Sequence, residues 1–238
     1  MNLKDVPVTP VASLFYEPDD RERWDDFLTM ALSEALQNIP GRPVSPTLDV
    51  DVFRRTLQSF DFQLPRPLSE LLPWVIDQLQ SGIVQMTHPR YFGLFNPSPS
   101  FPAECAERIV SAFNPQLATS TTSPIPVEIE AHVIRSIAHR AGLPAGSAGH
   151  FTTGGSEANF TALICALTSA NPRFGADGVS AFAGSPTVYV SQDAHLAWHK
   201  IAHQCGIGRT SVRLIETDHL GRMDLSSLFD VIGSDRAA

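Results

Sequence analysis

The sequence predicts an α/β fold, in which N-terminal helices lead into crossover units on a largely parallel sheet. Three observations predict it. Of 238 residues, 43% are hydrophobic and 18% charged, enough to bury a substantial core. The first half carries apolar residues at helical spacing, while the second alternates helical patterns with short β-branched runs. Such alternation is the mark of strands joined by crossover helices.

The elements follow in chain order. From Asp19 to Leu36, Trp24, Phe27, Leu28, Leu32 and Leu36 recur at helical spacing among charges, until Ile39-Pro40-Gly41-Arg42-Pro43 stops the pattern. A second helix runs from Leu68 to Leu79, with Ser69 placed to cap it, and yields to Gly82 and the loop around His88. Residues 96–102, Asn-Pro-Ser-Pro-Ser-Phe-Pro, are too rich in proline for a helix and read as a fixed extended loop, followed by a helix from about Ala103 to Phe113. After the Thr/Ser-rich run Ala118 to Ser123 and two prolines, Val127, Ile129, Val133, Ile134 and Ile137 mark a long helix that Gly142 and Pro144 terminate. A helix starting at Ser156, a strand at Val188-Tyr189-Val190, a helix from His195 to Cys205, a strand from Ser211 to Ile215 and a helix from Leu225 to Ile232 complete the order.

A formal charge of -8 and a pI near 5.4 argue against a nucleic-acid partner, since phosphate-backbone affinity comes from clustered Lys and Arg. The lysines are Lys4 and Lys200 alone. Cys105, Cys165 and Cys205 form neither an even disulfide framework nor a paired metal motif and read as three buried thiols. The first residues lack an apolar signal core, and no stretch approaches the roughly 18 apolar residues that span a bilayer. A soluble, cytoplasmic protein is expected.

Two segments carry candidate chemistry. Phe151-Thr152-Thr153-Gly154-Gly155-Ser156-Glu157 precedes a helical run of Phe160, Leu163, Ile164 and Leu167. Glycines allow a phosphate close to the backbone, the first helical turn offers unpaired N–H groups, and the Ser156 hydroxyl adds a donor. The same residues also suit an ordinary turn and cap, and they match neither a Walker loop nor a dinucleotide fingerprint. In Tyr189-Val190-Ser191-Gln192-Asp193-Ala194-His195 a strand runs out at an imidazole, at the end of the sheet where ligands bind. That imidazole suits stacking on a flat ring or moving a proton, and equally a surface or capping role. Asp193 reads as a helix cap. His195, His199 and His203 recur every four residues, as zinc ligands can, but no acidic or thiol ligand is tied to them by spacing, so no metal site is expected.

With the upstream segment His88-Pro89-Arg90-Tyr91-Phe92-Gly93-Leu94-Phe95-Asn96-Pro97, and Thr122-Ser123-Pro124 followed by Glu128-Ile129-Glu130, these segments resemble the pyridoxal-phosphate-dependent decarboxylases of aromatic amino acids, histidine, glutamate and diaminobutyrate. The resemblance spans residues 68–230, in order. It implies a fold-type-I, transferase-like protein: the first half of the large three-layer domain, preceded by N-terminal helices. It further implies a helical dimerisation segment over 1–87 and a partial domain for pyridoxal 5'-phosphate over 88–238. Gly155 and Ser156 would cradle the phosphate, with Gly154 allowing its approach. His195 would lie against the pyridine ring and protonate the carbon that has lost carbon dioxide. Phe95 and Asn96 become substrate-binding candidates. Aromatic-specific members carry an aromatic residue at the place of Leu94 and a threonine at the place of Pro97, which argues against a dopa-like substrate.

In that family the Schiff-base lysine and the carboxylate paired with the pyridine nitrogen lie downstream of the stacking histidine, beyond these residues. Lys200 lies five residues past His195 on the same expected helix, and reaching over the ring would require that helix to break. The chain is therefore expected to be the N-terminal portion of a decarboxylase acting on an amino acid or related acid, without turnover by itself. A homodimer or a complementing C-terminal chain would complete it. A non-catalytic or split-gene subunit and a module binding a phosphate ligand are the rival readings.

Overall fold

The computed structural model describes residues 15–60, 66–95 and 97–237, so that Lys4 and Asn96 lie outside the described residues. The chain divides into two compact units, Met1–Phe113 and Asn114–Ala238.

In the first unit, α1 (Pro18–Gln37) opens with proline at its first turn and with Asp19 and Asp20 against the positive end of the helix dipole. A short helix, α2 (Val50–Gln58), escapes the periodicity argument, because nine residues hold few apolar repeats. Its signal is a cap: Asp49 Oδ1 accepts from the amides of Asp51 at 2.9 Å and Val52 at 3.1 Å. α3 (Leu68–Gly82) starts after Pro67 with no side-chain cap, so Ser69 sits inside the first turn and does not cap it. Trp74 on α3 stacks on Phe53 of α2 with ring centroids 6.0 Å apart and meets Phe60 at 4.9 Å. The buried His88 accepts from the Arg90 amide at Nδ1 (2.9 Å), which leaves Nε2 to donate to the Pro40 carbonyl at 3.2 Å.

α4 (Phe101–Phe113) begins two residues before the expected start at Ala103. The proline-dense stretch therefore does enter a helix at its last two residues. Pro102 occupies the first turn, where a missing N–H costs no intrahelical bond, and the Ser100 carbonyl accepts from Ala103 N at 2.9 Å. Gly93 permits a close approach: a Cβ there would lie 2.5 Å from the Tyr91 hydroxyl, which accepts from Leu94 N at 2.8 Å.

In the second unit, α5 (Pro124–Arg140) ends as the sequence indicates. Gly142 adopts φ +72°, its N–H reaches the His139 carbonyl, and Leu143 N reaches the Ala138 carbonyl at 3.0 Å, closing the orphan carbonyls of the last turn. α6 (Gly155–Ala170) and the four-residue α7 (Phe174–Asp177) lead to β1 (Val188–Ser191), α8 (Ala197–Gln204), β2 (Val212–Ile215) and α9 (Leu225–Ala237). β1 and β2 pair in parallel, with Val188 opposite Val212 and Ser191 opposite Ile215, and α8 makes the crossover. The core joins Leu163 and Leu167 of α6 to Val190, Val212 and the α8 face Ala197, Ile201, Ala202, with Cys205 just beyond it. Phe160 and Ile164 pack at its edge, so the four apolar positions of the α6 pattern share one face.

Two expectations are corrected here. Cys205 is buried, but Cys105 is only half-buried and Cys165 is exposed, because a thiol on α6 at position 165 falls off the Leu163–Leu167 face. The last helix continues five residues past Ile232. A long-range anchor accounts for the extension: Asp235 accepts from the Tyr189 hydroxyl at 2.9 Å and from Arg213 Nε at 3.0 Å and Nη2 at 2.8 Å. The bonds from Arg213, then that from Tyr189, hold the Asp235 carboxyl below the usual carboxylate range.

Candidate functional site

The glycine turn is assembled locally. Gly154, the N-cap of α6, is extended (φ 168°, ψ 173°), and its carbonyl accepts from the amides of Glu157 and Ala158, both at 3.1 Å. The amides of Gly155 and Ser156 are left without an acceptor among the described residues, as is the Ser156 hydroxyl. The Glu157 carboxylate turns back to Thr153, accepting from its amide at 2.8 Å and its hydroxyl at 2.5 Å. Those two bonds, the hydroxyl's first, hold Glu157 below the usual carboxylate range. Thr152 Oγ1 donates to the Gly154 carbonyl at 3.2 Å, and Glu130 on α5 accepts from Phe151 N at 2.8 Å, tying down the entry to the turn.

Whether this turn fits a phosphate can be judged from its glycines. Neither Gly154 nor Gly155 has a left-handed φ, and a Cβ at either would meet no protein atom within 4 Å. Backbone conformation and internal packing therefore leave glycine unexplained at both positions. Open space in front of two unpaired amides, a free hydroxyl and a helix dipole suit a dianionic phosphate.

His195 follows the carboxyl end of β1 and lies exposed before α8. Its Nδ1 accepts from the Ala197 amide at 3.1 Å. In the neutral ring the proton is then on Nε2, which has no partner among the described residues. The imidazole, not Asp193, thus accepts from the first amide of α8. Asp193 is turned toward Thr217 instead, whose hydroxyl donates to Asp193 Oδ2 at 2.8 Å. α8 begins at Ala197, so His195 lies outside the helix that carries His199 and His203, and no cluster of three metal-ligating side chains occurs among the described residues. Lys200 is exposed on an unbroken stretch of that helix.

Gly154, Gly155, Ser156 and His195 all belong to the second unit, at the N-termini of two helices that pack on one core. Phe95, fully exposed, belongs to the first. Sequence reasoning missed the Glu157–Thr153 clasp and the Thr217–Asp193 contact. A glutamate in the third helical position signals the former, whereas nothing local signals a bond across 24 residues.

Residues 58–238 match the pyridoxal-dependent decarboxylase conserved domain. The chain is 32% identical over 141 residues to an L-2,4-diaminobutyrate decarboxylase of Rhizobium meliloti (strain 1021), an alignment covering 59% of this chain and 27% of that protein. It is 28% identical over 219 residues to a tyrosine decarboxylase of Oryza sativa subsp. japonica, covering 88% of this chain and 40% of the relative. Among solved structures, mouse CSAD superposes with a TM-score of 0.83 at 22% identity, over 93% of this chain and 46% of that one. Catharanthus roseus tryptophan decarboxylase in complex with L-tryptophan gives 0.82 at 21% identity, over 93% and 49%. The fold is thus that of fold-type-I decarboxylases, and the chain spans about half the length of those structures and less than half of these curated relatives.

Proposed function

This chain belongs to the pyridoxal-dependent decarboxylase family, and we propose that it forms the N-terminal portion of an enzyme that decarboxylates an amino acid or related acid. In this reading Gly155 and Ser156 bind the phosphate of pyridoxal 5'-phosphate through their amides and the serine hydroxyl, and Gly154 leaves room for it. The observation that carries the reading is the open first turn of α6, where unpaired donors face space that the glycines keep clear. When bound, pyridoxal phosphate supplies a ring that takes up the electron pair released as carbon dioxide leaves. His195 would lie against that ring with its Nε2 edge free of partners among the described residues, and donating a proton from Nε2 would require the imidazolium, in which Nδ1 gives up its bond to the Ala197 amide. Phe95 and Asn96 contribute to substrate binding. The segment 1–87 serves dimerisation, 88–238 forms the cofactor-binding part, and a downstream or separate segment supplies the Schiff-base lysine. Among the described residues no helix is long and apolar enough to cross a membrane, and a cytoplasmic location is part of the proposal.

Titration of the purified chain with pyridoxal phosphate and with phosphate-free pyridoxal tests the reading. Wild type binds the phosphorylated form far more tightly. Ser156→Ala removes one charge-assisted hydrogen bond, about 1.5–3 kcal/mol, and so costs on the order of tenfold to hundredfold in affinity for it while leaving pyridoxal unchanged. Equal affinity of wild type for both compounds would refute the phosphate assignment.

A further inference from the structure

His195 sits on an exposed turn, yet a ring that must lie flat against a ligand needs a fixed backbone beneath it. What fixes this turn comes from the far side of β2. Gln192 N donates to the Ile215 carbonyl at 2.8 Å, extending the parallel pairing one residue past β1. Beyond that point the pairing stops, and a single hydroxyl takes over. Gln192 Nε2 donates to Thr217 Oγ1 at 2.8 Å, and Thr217 Oγ1 donates to Asp193 Oδ2 at 2.8 Å. Ser191 closes the turn from below, accepting from Asp193 N at its hydroxyl (3.2 Å) and from Ala194 N at its carbonyl (2.9 Å).

Thr217 is itself a rigid post. It pairs with Met223 across a tight antiparallel bridge, within which Asp218 N reaches the Arg222 carbonyl and Asp224 N the Glu216 carbonyl, both at 2.8 Å. One atom that accepts from one neighbour and donates to the next is a hydroxyl, since a carboxylate only accepts and an amide divides the two roles between separate atoms.

We propose that Thr217 is a positioning residue for His195, its hydroxyl relaying between Gln192 and Asp193 to fix the turn that presents the imidazole to the cofactor ring. This rests on the cofactor reading of His195 given above, and the experiment separates the two. Thr217→Val keeps the shape and removes both bonds, whereas Thr217→Ser keeps the hydroxyl. Ring resonances of His195 are followed by NMR in the full chain without ligand, and affinities are measured for pyridoxal phosphate and for inorganic phosphate.

The valine variant is expected to shift the His195 ring signals and to lower pyridoxal phosphate affinity about fivefold to tenfold, as losing one or two hydrogen bonds would. Inorganic phosphate affinity stays at the wild-type value, and serine returns both readouts to within about twofold. Unchanged ring signals in Thr217→Val, or a serine variant that restores nothing, overturn the proposal. So does a parallel loss of inorganic phosphate affinity and of thermal stability, which marks a merely structural role. If wild type binds no pyridoxal phosphate, the cofactor reading falls, and the ring signals still decide whether Thr217 positions His195.

Discussion

Two helix N-termini in the second unit solve the same problem in opposite ways. Each must deal with amides that have no intrahelical acceptor. At α8 the imidazole of His195 accepts from the first amide, that of Ala197. At α6 the amides of Gly155 and Ser156 remain open, and the carboxylate of the first turn, Glu157, is diverted to Thr153. In the proposed reading the first start orients a ring, and the open start receives an anion.

The sharpest way to break this contrast is to close the open start. Gly155→Asp places a carboxylate at the first helical position, where the dipole favours it by about 0.3–1 kcal/mol and where a Cβ meets no protein atom. The variant is expected to melt no lower than wild type. Its affinity for pyridoxal phosphate and for inorganic phosphate falls on the order of 100-fold, because two anions then compete for the same donors. Calorimetric titration alongside a thermal melt reads both effects, and undiminished phosphate affinity would place the anion elsewhere.

Opening the closed start has a smaller effect. His195→Ala removes the bond to Ala197 and is expected to lower stability by about 1 kcal/mol, the usual net worth of one hydrogen bond. His195→Asn supplies an acceptor of similar reach without the ring. Stability should return while pyridoxal phosphate affinity stays as low as in the alanine variant. Recovery of both in the asparagine variant would mean that the ring contacts nothing.

The contrast also explains what was legible in the sequence. The α6 turn is built from contiguous residues, so Gly154, Gly155 and Ser156 stand out by composition, as do the α6 face of Phe160, Leu163, Ile164 and Leu167 and the Gly142 stop. The parallel pair was legible from its β-branched runs. The His195 turn is different, because its support comes from Thr217, and the length of α9 is set by Arg213 and Tyr189. Local pattern gave Asp193 the cap, since a short acid before a helix is the commonest one, but a hydroxyl 24 residues away captured the carboxylate. Ser69 and Ala103 failed for a related reason. Pro67 is itself the N-cap of α3, which leaves Ser69 inside the first turn, and Pro102 fits the first turn of α4 instead of breaking it.

The smallest effect concerns the diverted carboxylate, and its sign follows from which form Thr153 binds. The hydroxyl and amide of Thr153 donate to the charged Glu157, so the folded chain holds this carboxyl below its ordinary value. A depressed carboxylate adds stability that is fully present above the unfolded-chain value of about 4.3 and is lost as pH falls through the folded-state value. Glu157→Gln keeps an acceptor facing Thr153 and removes the charge. The variant is thus expected to melt slightly below wild type at neutral pH, and the gap should close in acid, where Glu157 becomes protonated in both folded and unfolded chains. Melting both proteins across the range from neutral to acidic pH checks this. A gap that stays constant with pH would show that the charge of Glu157 adds nothing to the clasp.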